Sequence, residues 1–178
     1  MTGVQTCALP ISVPELWTLG HFARTMKRQS KKQSILTGVA GEYFVAAELS
    51  RRGHIASITL RNTRGMDILA TNLDASRSIT IQCKTTQKSR KAWLLNEKCE
   101  DFYSPKHFYV FVTLGSVDER PSYHIVPSRI VAERVRTGRR NWKRKRKRED
   151  GNDAGETSVR LFSDAGDEFL ERWDSLGL

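Results

Sequence analysis

Apolar residues recur at three- and four-residue spacing between residues 33 and 52, which is the pattern of an amphipathic helix. The stripe consists of Leu36, Val39, Ala40, Phe44, Val45, Ala47 and Leu49. Gly53 follows the last periodic position, and a glycine commonly ends a helix there. We therefore predict a helix over this segment with one face packed on a core.

Three short runs with strand character follow the helix, at residues 55–60, 66–71 and 79–85. Polar turn segments separate them. Within a strand, successive side chains point to opposite faces. Asp67 and Leu69 therefore share one face of the second run, and Gln82 and Lys84 share one face of the third. The pattern predicts a helix followed by a three-stranded meander.

The remaining chain predicts two more strands, at residues 108–114 and 123–126, which complete a sheet. Ser128 is a candidate N-cap for a helix that enters a basic run. Residues 163–176 predict a last amphipathic helix, which docks through Phe169, Leu170, Trp173 and Leu176. The chain is therefore expected to be α/β, with a core at residues 35–127. Residues 128–178 are expected to hold a basic helix, an acidic linker and the last helix.

Residues 1–11 resemble the translation of a sequencing-library adapter, so we expect residues 1–12 to be non-native. A signal peptide is the alternative, but this stretch has no basic start and Pro10 interrupts its short apolar run. Residues 13–34 then form a basic N-terminal arm. This arm is either a solvated segment or a contact for phosphate groups.

The charge balance favours a polyanionic partner. The 178 residues carry 30 Lys and Arg against 20 Asp and Glu, a formal net charge of +10. Nucleic acid is the first candidate and an anionic membrane the second. No apolar run is long enough to span a bilayer, so we expect no membrane insertion.

Positive charge is densest between residues 136 and 148, where no acid intervenes. Such a run is either a solvated helix face or a surface that neutralises several phosphates. A second basic stretch surrounds Trp93, which either stacks on a base or packs over the sheet. The nucleic-acid-binding candidates are Lys88, Arg90, Lys91, Arg139, Arg140, Lys143, Arg144, Lys145, Arg146, Lys147 and Arg148, with Arg136 beginning the run.

Cysteine usage indicates a reducing compartment. Outside the first residues the chain has Cys83 and Cys99, which lack the CxxC spacing of a zinc site and form no disulfide framework. We therefore expect a cytoplasmic protein, in which Cys83 points into the core as a small apolar residue.

Four polar residues could perform chemistry together. At about 3.3 Å per residue, Gln82 and Lys84 lie about 6.6 Å apart along one strand. Asp67 can join them if the two strands pair. Glu42 lies beside the apolar face of the first helix, where an acid needs a partner or a metal. The alternative for Glu42 is an exposed position at the edge of the stripe or a pair with an arginine.

This set fits Mg²⁺ or Mn²⁺, since hard cations prefer oxygen ligands. Asp67 supplies a bridging carboxylate, Gln82 an amide oxygen and Cys83 its backbone carbonyl, while Glu42 completes the shell directly or through water. Lys84 would orient the attacking water or stabilise charge on a phosphate. Phosphodiester hydrolysis is the reaction that these groups suit.

Three segments resemble the PD-(D/E)xK nuclease superfamily, which includes restriction endonucleases and Holliday-junction resolvases. They are Gly38-Val39-Ala40-Gly41-Glu42, Gly65-Met66-Asp67-Ile68 and Ile81-Gln82-Cys83-Lys84-Thr85. The resemblance covers residues 38–127. It implies a restriction-endonuclease-like αβββαβ core, a mixed sheet flanked by helices, with a C-terminal helical extension. It also implies that Asp67, Gln82 and Lys84 are catalytic and that Glu42 is the helix acid.

Two positions depart from the motif. Met66 replaces the usual proline, which leaves the aspartate in place. Gln82 replaces the acid, as in methylation-dependent restriction enzymes of the superfamily, and leaves the site one charge poorer.

Three functions follow as hypotheses. The first is a Mg²⁺-dependent endonuclease acting on DNA, in a chain that could form a homodimer as such nucleases often do. The second is a catalytically inactive nucleic-acid-binding module on the same fold. The third is an α/β interaction protein in which Glu42, Asp67, Gln82 and Lys84 do not converge.

Overall fold

The computed structural model describes residues 19–60, 65–87, 91–150 and 157–178, with side chains described from residue 33 onward except at 148–150. The chain divides into two compact units, residues 1–34 and 35–178. In the first unit the described residues, 19–34, are helical. The packing and contacts described below concern the second unit.

The first helix, α1, spans Leu19–Arg51. The predicted helix is confirmed, and it also includes the polar stretch before residue 33. Only part of the predicted apolar stripe packs on the core, since Leu36 and Phe44 are 61% and 43% exposed. Gly53 adopts a φ of +85°, which favours glycine, and ends the helix as predicted. Val45 and Leu49 are fully buried and anchor α1 on the sheet.

The central sheet contains five strands in the order β1-β2-β3-β5-β6. Strands β1 (Ile55–Ile58), β2 (Ile68–Thr71) and β3 (Ser78–Thr86) form the predicted antiparallel meander. Strand β5 (His107–Thr113) pairs with β3 in parallel, and β6 (Ser122–Pro127) pairs with β5 antiparallel. The sheet is therefore mixed, and the α/β class is confirmed.

The connection from β3 to β5 differs from the expected αβββαβ order. Its described residues hold a strand, β4 (Ala92–Asn96), and a short 3-10 helix at Glu97–Glu100, where an α-helix was expected. Strand β4 pairs with β7 (Val159–Ser163) in a separate two-stranded sheet. The pairing partner lies more than 60 residues away, so the local pattern could not reveal it.

The second helix, α2, spans Ser128–Asp150, so the predicted start of the helix is confirmed, although Ser128 is its first helical residue rather than a cap. The Ser128 hydroxyl bonds the backbone of Ser104, accepting from its N–H and donating to its carbonyl, both at 3.0 Å. Ser128 therefore ties the start of α2 to the loop before β5.

The predicted last helix at residues 163–176 is wrong. The segment begins in β7, turns through Asp167 and Glu171 at positive φ, and forms only a 3-10 helix at Trp173–Leu176. Its backbone instead meets the outer edge of β6, where Ile125 N–H donates to the Phe169 carbonyl at 2.9 Å. Bonds to a sheet edge replace helical bonds. Docking through Phe169, Trp173 and Leu176 holds, since all three are buried, whereas Leu170 is 36% exposed.

Two apolar cores cover the two faces of the central sheet. On one face Val45 and Leu49 of α1 pack against Ile68, Ile81 and Cys83, among others. On the other, α2 and the small sheet pack against β5, in a cluster that includes Trp93, Tyr109, Phe111, Val131 and Phe162. Lys84 and Gln82 belong to the second face by strand alternation.

Candidate functional site

Asp67 lies directly before β2 and bridges the residues on both sides of Gln82. Its backbone N–H donates to the carbonyl of Ile81 at 2.8 Å. Its carboxylate oxygen Oδ2 accepts a hydrogen bond from the Cys83 N–H at 2.7 Å. A carboxylate has about four lone-pair positions, so this bond leaves acceptor capacity for a cation. The predicted juxtaposition of Asp67 with the Gln82 strand is therefore present.

Thr59, which directly follows β1, holds the backbone of Met66 and Asp67 from the side opposite to β3. Thr59 N–H donates to the Asp67 carbonyl at 2.9 Å, and the Thr59 hydroxyl donates to the Met66 carbonyl at 2.6 Å. Asp67 is thus held between two strands through its backbone, which fixes the direction of its side chain.

A glycine brings α1 close to β3 and places Glu42 beside it. A Cβ atom added at Gly41 would lie 1.9 Å from the Thr85 hydroxyl oxygen and 2.9 Å from its Cβ. No other residue type fits this approach without a shift of the helix. Glu42 is the next residue along and is half-buried. Gly41 therefore has a packing role beside Glu42, whereas a Cβ atom at Gly38 would meet no atom within 4 Å.

The charges of three of the four candidates act on the thiol of Cys83. Burial raises the pKa of the Cys83 thiol well above its usual value, and the negative charges of Asp67 and Glu42 raise it further, while Lys84 lowers it. All three charged groups therefore lie within electrostatic range of this thiol. We call these three residues, together with Gln82, the Asp67 site. Glu42 is on α1, which packs on the first face of the sheet, whereas Gln82 and Lys84 belong to the second face.

The Asp67 site continues onto β5 through residues that the sequence did not single out. Tyr109 is the parallel partner of Gln82 in the β3–β5 ladder. Burial raises the pKa of the Tyr109 hydroxyl, with smaller contributions from Cys99 and Asp67. The charge of Lys84 also acts on the Cys99 thiol, whose pKa burial raises to about 11. Both cysteines are buried thiols, as the apolar interpretation of Cys83 predicted.

His107 lies two residues before Tyr109 on β5 and is therefore on the same face of the sheet. It is 2% exposed, and its Nδ1 lies 2.9 Å from the Thr80 hydroxyl. Its Nε2 is buried without a hydrogen-bond partner among the described residues. Burial lowers the pKa of His107 from 6.5 to about 4, so the ring is neutral at pH 7.

Glu48 provides a contrast to Glu42 on the same helix. Its carboxylate lies 2.6 Å from Arg51, 3.7 Å from Arg52 and 3.1 Å from Arg120. Glu48 is a buried structural acid.

The oxygen atoms of the Asp67 site are of the kind that a hard divalent cation binds. The site offers oxygens from Asp67, Glu42, Gln82 and the Cys83 carbonyl, and all are ligands that Mg²⁺ accepts. Among the described residues no three His, Cys, Asp or Glu side chains gather as a metal cluster. The site therefore depends on two acids with a neutral amide, and a bound cation would keep several waters.

The basic candidates divide into three groups. Lys88 and Arg90 lie outside the described residues. Lys91 pairs with Asp167 and so holds the C-terminal segment. The others lie on α2, and the Arg148 side chain is again outside the described part. The positive run is thus helical, with basic residues on all sides of α2 from Lys143 onward, and Arg139 and Arg146 both lie over the ring of Trp142.

Trp93 packs in the core, so base stacking at this residue is excluded. It is 2% exposed, and its ring N–H donates to the Val112 carbonyl at 3.0 Å. Its ring centroid lies 5.0 Å from that of Phe111.

Neither a protein-family model nor a curated protein sequence matches this chain. Within the described residues, no helix has the length and apolar character to cross a membrane.

Proposed function

We propose that the protein is a Mg²⁺-dependent nuclease that hydrolyses DNA phosphodiester bonds at the Asp67 site. The observation that carries the proposal is the position of Asp67, whose carboxylate is fixed to Cys83 between Gln82 and Lys84. This contact brings a carboxylate beside the strand that carries an amide at Gln82 and an ammonium group at Lys84.

Each residue has a role that its surroundings support. Asp67 and Gln82 would hold the cation, with the Cys83 carbonyl and Glu42 contributing further oxygens. When bound, the cation would polarise the phosphate and lower the pKa of a water. Lys84 would place its ammonium group against the phosphate and stabilise the charge that develops there. The resemblance to the PD-(D/E)xK superfamily assigns the same roles, and a restriction-endonuclease-like core is part of the proposal.

The basic residues of α2 would supply affinity for the DNA backbone. Contacts from several Arg and Lys side chains neutralise phosphates independently of sequence, so binding should weaken steeply with salt. We place this protein in the cytoplasm, with DNA as its partner and a homodimer as the form that would cut both strands.

A catalytically inactive nucleic-acid-binding module is the second candidate. Gln82 favours it, because the site has one negative charge fewer than the motif requires. The Cys83 N–H also donates a hydrogen bond to one carboxylate oxygen of Asp67, which reduces the capacity of that oxygen to bind a cation. This module would bind DNA through α2 without cutting it.

The test is cleavage of supercoiled plasmid by purified protein with Mg²⁺, with Mn²⁺ and with EDTA. We expect nicking that requires the metal and falls at least 100-fold in Lys84→Ala, the range for loss of a charge-stabilising group. Lys98→Ala removes an exposed lysine from the 3-10 helix and should cleave as wild type does. Equal cleavage by both variants would contradict the proposal, and DNA binding without cleavage would support the inactive module.

A further inference from the structure

Two clefts lie side by side along α2, and Arg139 and Arg160 line both of them. The first, which we call the cationic cleft, has a volume of about 630 Å³ and also includes Arg136, Arg140 and Lys143 together with two acids, Glu100 and Glu133, so that its basic residues exceed its acids. The second, the Trp142 cleft, has a volume of about 380 Å³. A ligand that spans both would meet positive charge on one side and an aromatic surface on the other.

The Trp142 cleft is apolar in its lining. Trp142 is 39% exposed, and the cleft is also lined by Val159 and Leu161 of β7, which are 52% and 57% exposed. Strand β7 alternates exposed and buried positions, and its buried ones are Arg160 and Phe162. Apolar side chains at outward positions of a strand are unusual for a face that meets only water.

Arginines surround the exposed indole. The guanidinium of Arg139 lies 4.6 Å from the centroid of the Trp142 ring, and that of Arg146 lies 5.5 Å from it. A guanidinium both stacks on aromatic rings and binds phosphate, so these groups can hold the backbone of a nucleotide whose base lies against the indole.

Arg160 is part of the wall rather than a ligand. It pairs with Glu100 and donates to the Val159 carbonyl at 3.1 Å, and it is 8% exposed. The floor between the two clefts is therefore held in place by the fold, and the cationic side depends on the arginines and lysine of α2.

We propose that the Trp142 cleft binds an unpaired base of single-stranded nucleic acid, with its phosphates in the cationic cleft. In a duplex the faces of each base are covered by its neighbours, so only an unpaired base can stack on a tryptophan. An uncharged peptide or a second copy of this chain would fill the apolar cleft but would not match the excess of arginine and lysine over acids in the adjoining cleft. The proposal rests on the proposed binding of nucleic acid, but not on cleavage.

The test measures binding in EDTA, which prevents cleavage. Fluorescence anisotropy compares a labelled oligothymidine with a blunt duplex carrying the same number of phosphates, at one salt concentration. Base stacking contributes about 1–3 kcal/mol, so Trp142→Ala should weaken binding of the oligothymidine by about 5- to 150-fold and leave duplex binding unchanged. Trp142→Phe, which keeps an aromatic ring, should retain most of the affinity.

A charge variant separates stacking from electrostatics. Arg140→Gln removes a cation from the cationic cleft and should weaken binding of both ligands by a similar factor. Circular dichroism of each variant checks that the fold is kept, as the exposure of Trp142 leads us to expect.

Three outcomes would overturn the inference. If Trp142→Ala binds the oligothymidine as wild type does, or if it weakens binding of the oligothymidine and the duplex equally, the cleft does not bind a base. The proposed function still stands in that case. If wild type binds neither ligand, nucleic-acid binding itself fails and the inference fails with it. If sedimentation shows a dimer that Trp142→Ala disrupts, the cleft belongs to a second copy.

Discussion

Gly41→Ala is the substitution that most directly probes how α1 meets the sheet. The added methyl group would lie 1.9 Å from the Thr85 hydroxyl oxygen and 2.9 Å from the Thr85 Cβ, closer than carbon atoms approach one another. The Thr85 hydroxyl is buried without a partner among the described residues, and its Cβ cannot rotate away. The helix must therefore move from β3, taking Glu42 with it.

Gly38→Ala provides a matched control on the same helix. A Cβ atom at Gly38 has no atom within 4 Å outside its own neighbourhood. Replacing a glycine in a helix by alanine gains about 1 kcal/mol of stability. Overpacking at Gly41 costs about 1–3 kcal/mol or more, which cancels or exceeds the same gain. The two variants should therefore differ by about 1–3 kcal/mol in free energy of unfolding.

Urea unfolding followed by circular dichroism measures this difference. With a slope of about 2 kcal/mol per molar urea, the midpoint of Gly41→Ala should lie about 0.5–1.5 M below that of Gly38→Ala. Gly41→Ala/Thr85→Ala should recover part of the loss, since two of the three crowding atoms are removed. If Gly41→Ala is stabilised as much as Gly38→Ala, the close approach of α1 to β3 is wrong.

Three further predictions follow from individual side chains. The pKa of His107 in the folded protein, about 4, lies below its ordinary value of 6.5, so its contribution to stability is fully present above pH 6.5 and falls by up to about 3 kcal/mol as the pH drops towards 4. The urea midpoint should therefore fall less over this pH range in His107→Gln than in wild type. Equal pH profiles of the two proteins would contradict the burial of His107. Asp164, which is 2% exposed, accepts hydrogen bonds from the His124 Nδ1 at 2.7 Å and from the Phe169 N–H at 3.0 Å. Asp164→Asn should therefore lower the free energy of unfolding in urea by about 1–3 kcal/mol, while Asp118→Asn at an exposed position should change it little. Equal stability of these two variants would refute this role of Asp164. Gln82→Glu adds the missing charge to the Asp67 site and should lower the Mg²⁺ concentration for half-maximal cleavage on the order of tenfold in a metal titration. An unchanged or higher Mg²⁺ concentration would count against Gln82 as a ligand position.

Much of the fold follows from local pattern. The apolar stripe of α1, the Gly53 end and the alternation in β2 and β3 depend on neighbouring residues, so the sequence displays them. The pairing of Asp67 with the Gln82 strand could also be predicted, because a short turn joins β2 to β3 and leaves one antiparallel arrangement.

The differences arise where distant segments decide the structure. Residues 163–176 carry apolar residues at helical spacing, yet bonds between Ile125 and Phe169 draw them to the edge of β6. Strand β4 likewise exists because β7 pairs with it. Neither partner is visible from the local sequence.

The candidate site shows the same division. Asp67, Gln82 and Lys84 were found by strand alternation and motif. Tyr109 and His107 were not, because the parallel pairing of β5 with β3 places them on that face. Trp142 sits within a charge run, and only the packing of β7 beside α2 shows the cleft that it lines.

The most direct test of the Asp67 site compares two conservative variants in one single-turnover assay of DNA cleavage with Mg²⁺. Asp67→Asn keeps the shape of the side chain but removes the charge that would hold the cation, whereas Asp118→Asn makes the same change at an exposed position. We predict metal-dependent cleavage by wild type and Asp118→Asn and a loss of at least 100-fold in Asp67→Asn. Cleavage by Asp67→Asn at the wild-type rate would contradict a metal-dependent nuclease site at Asp67.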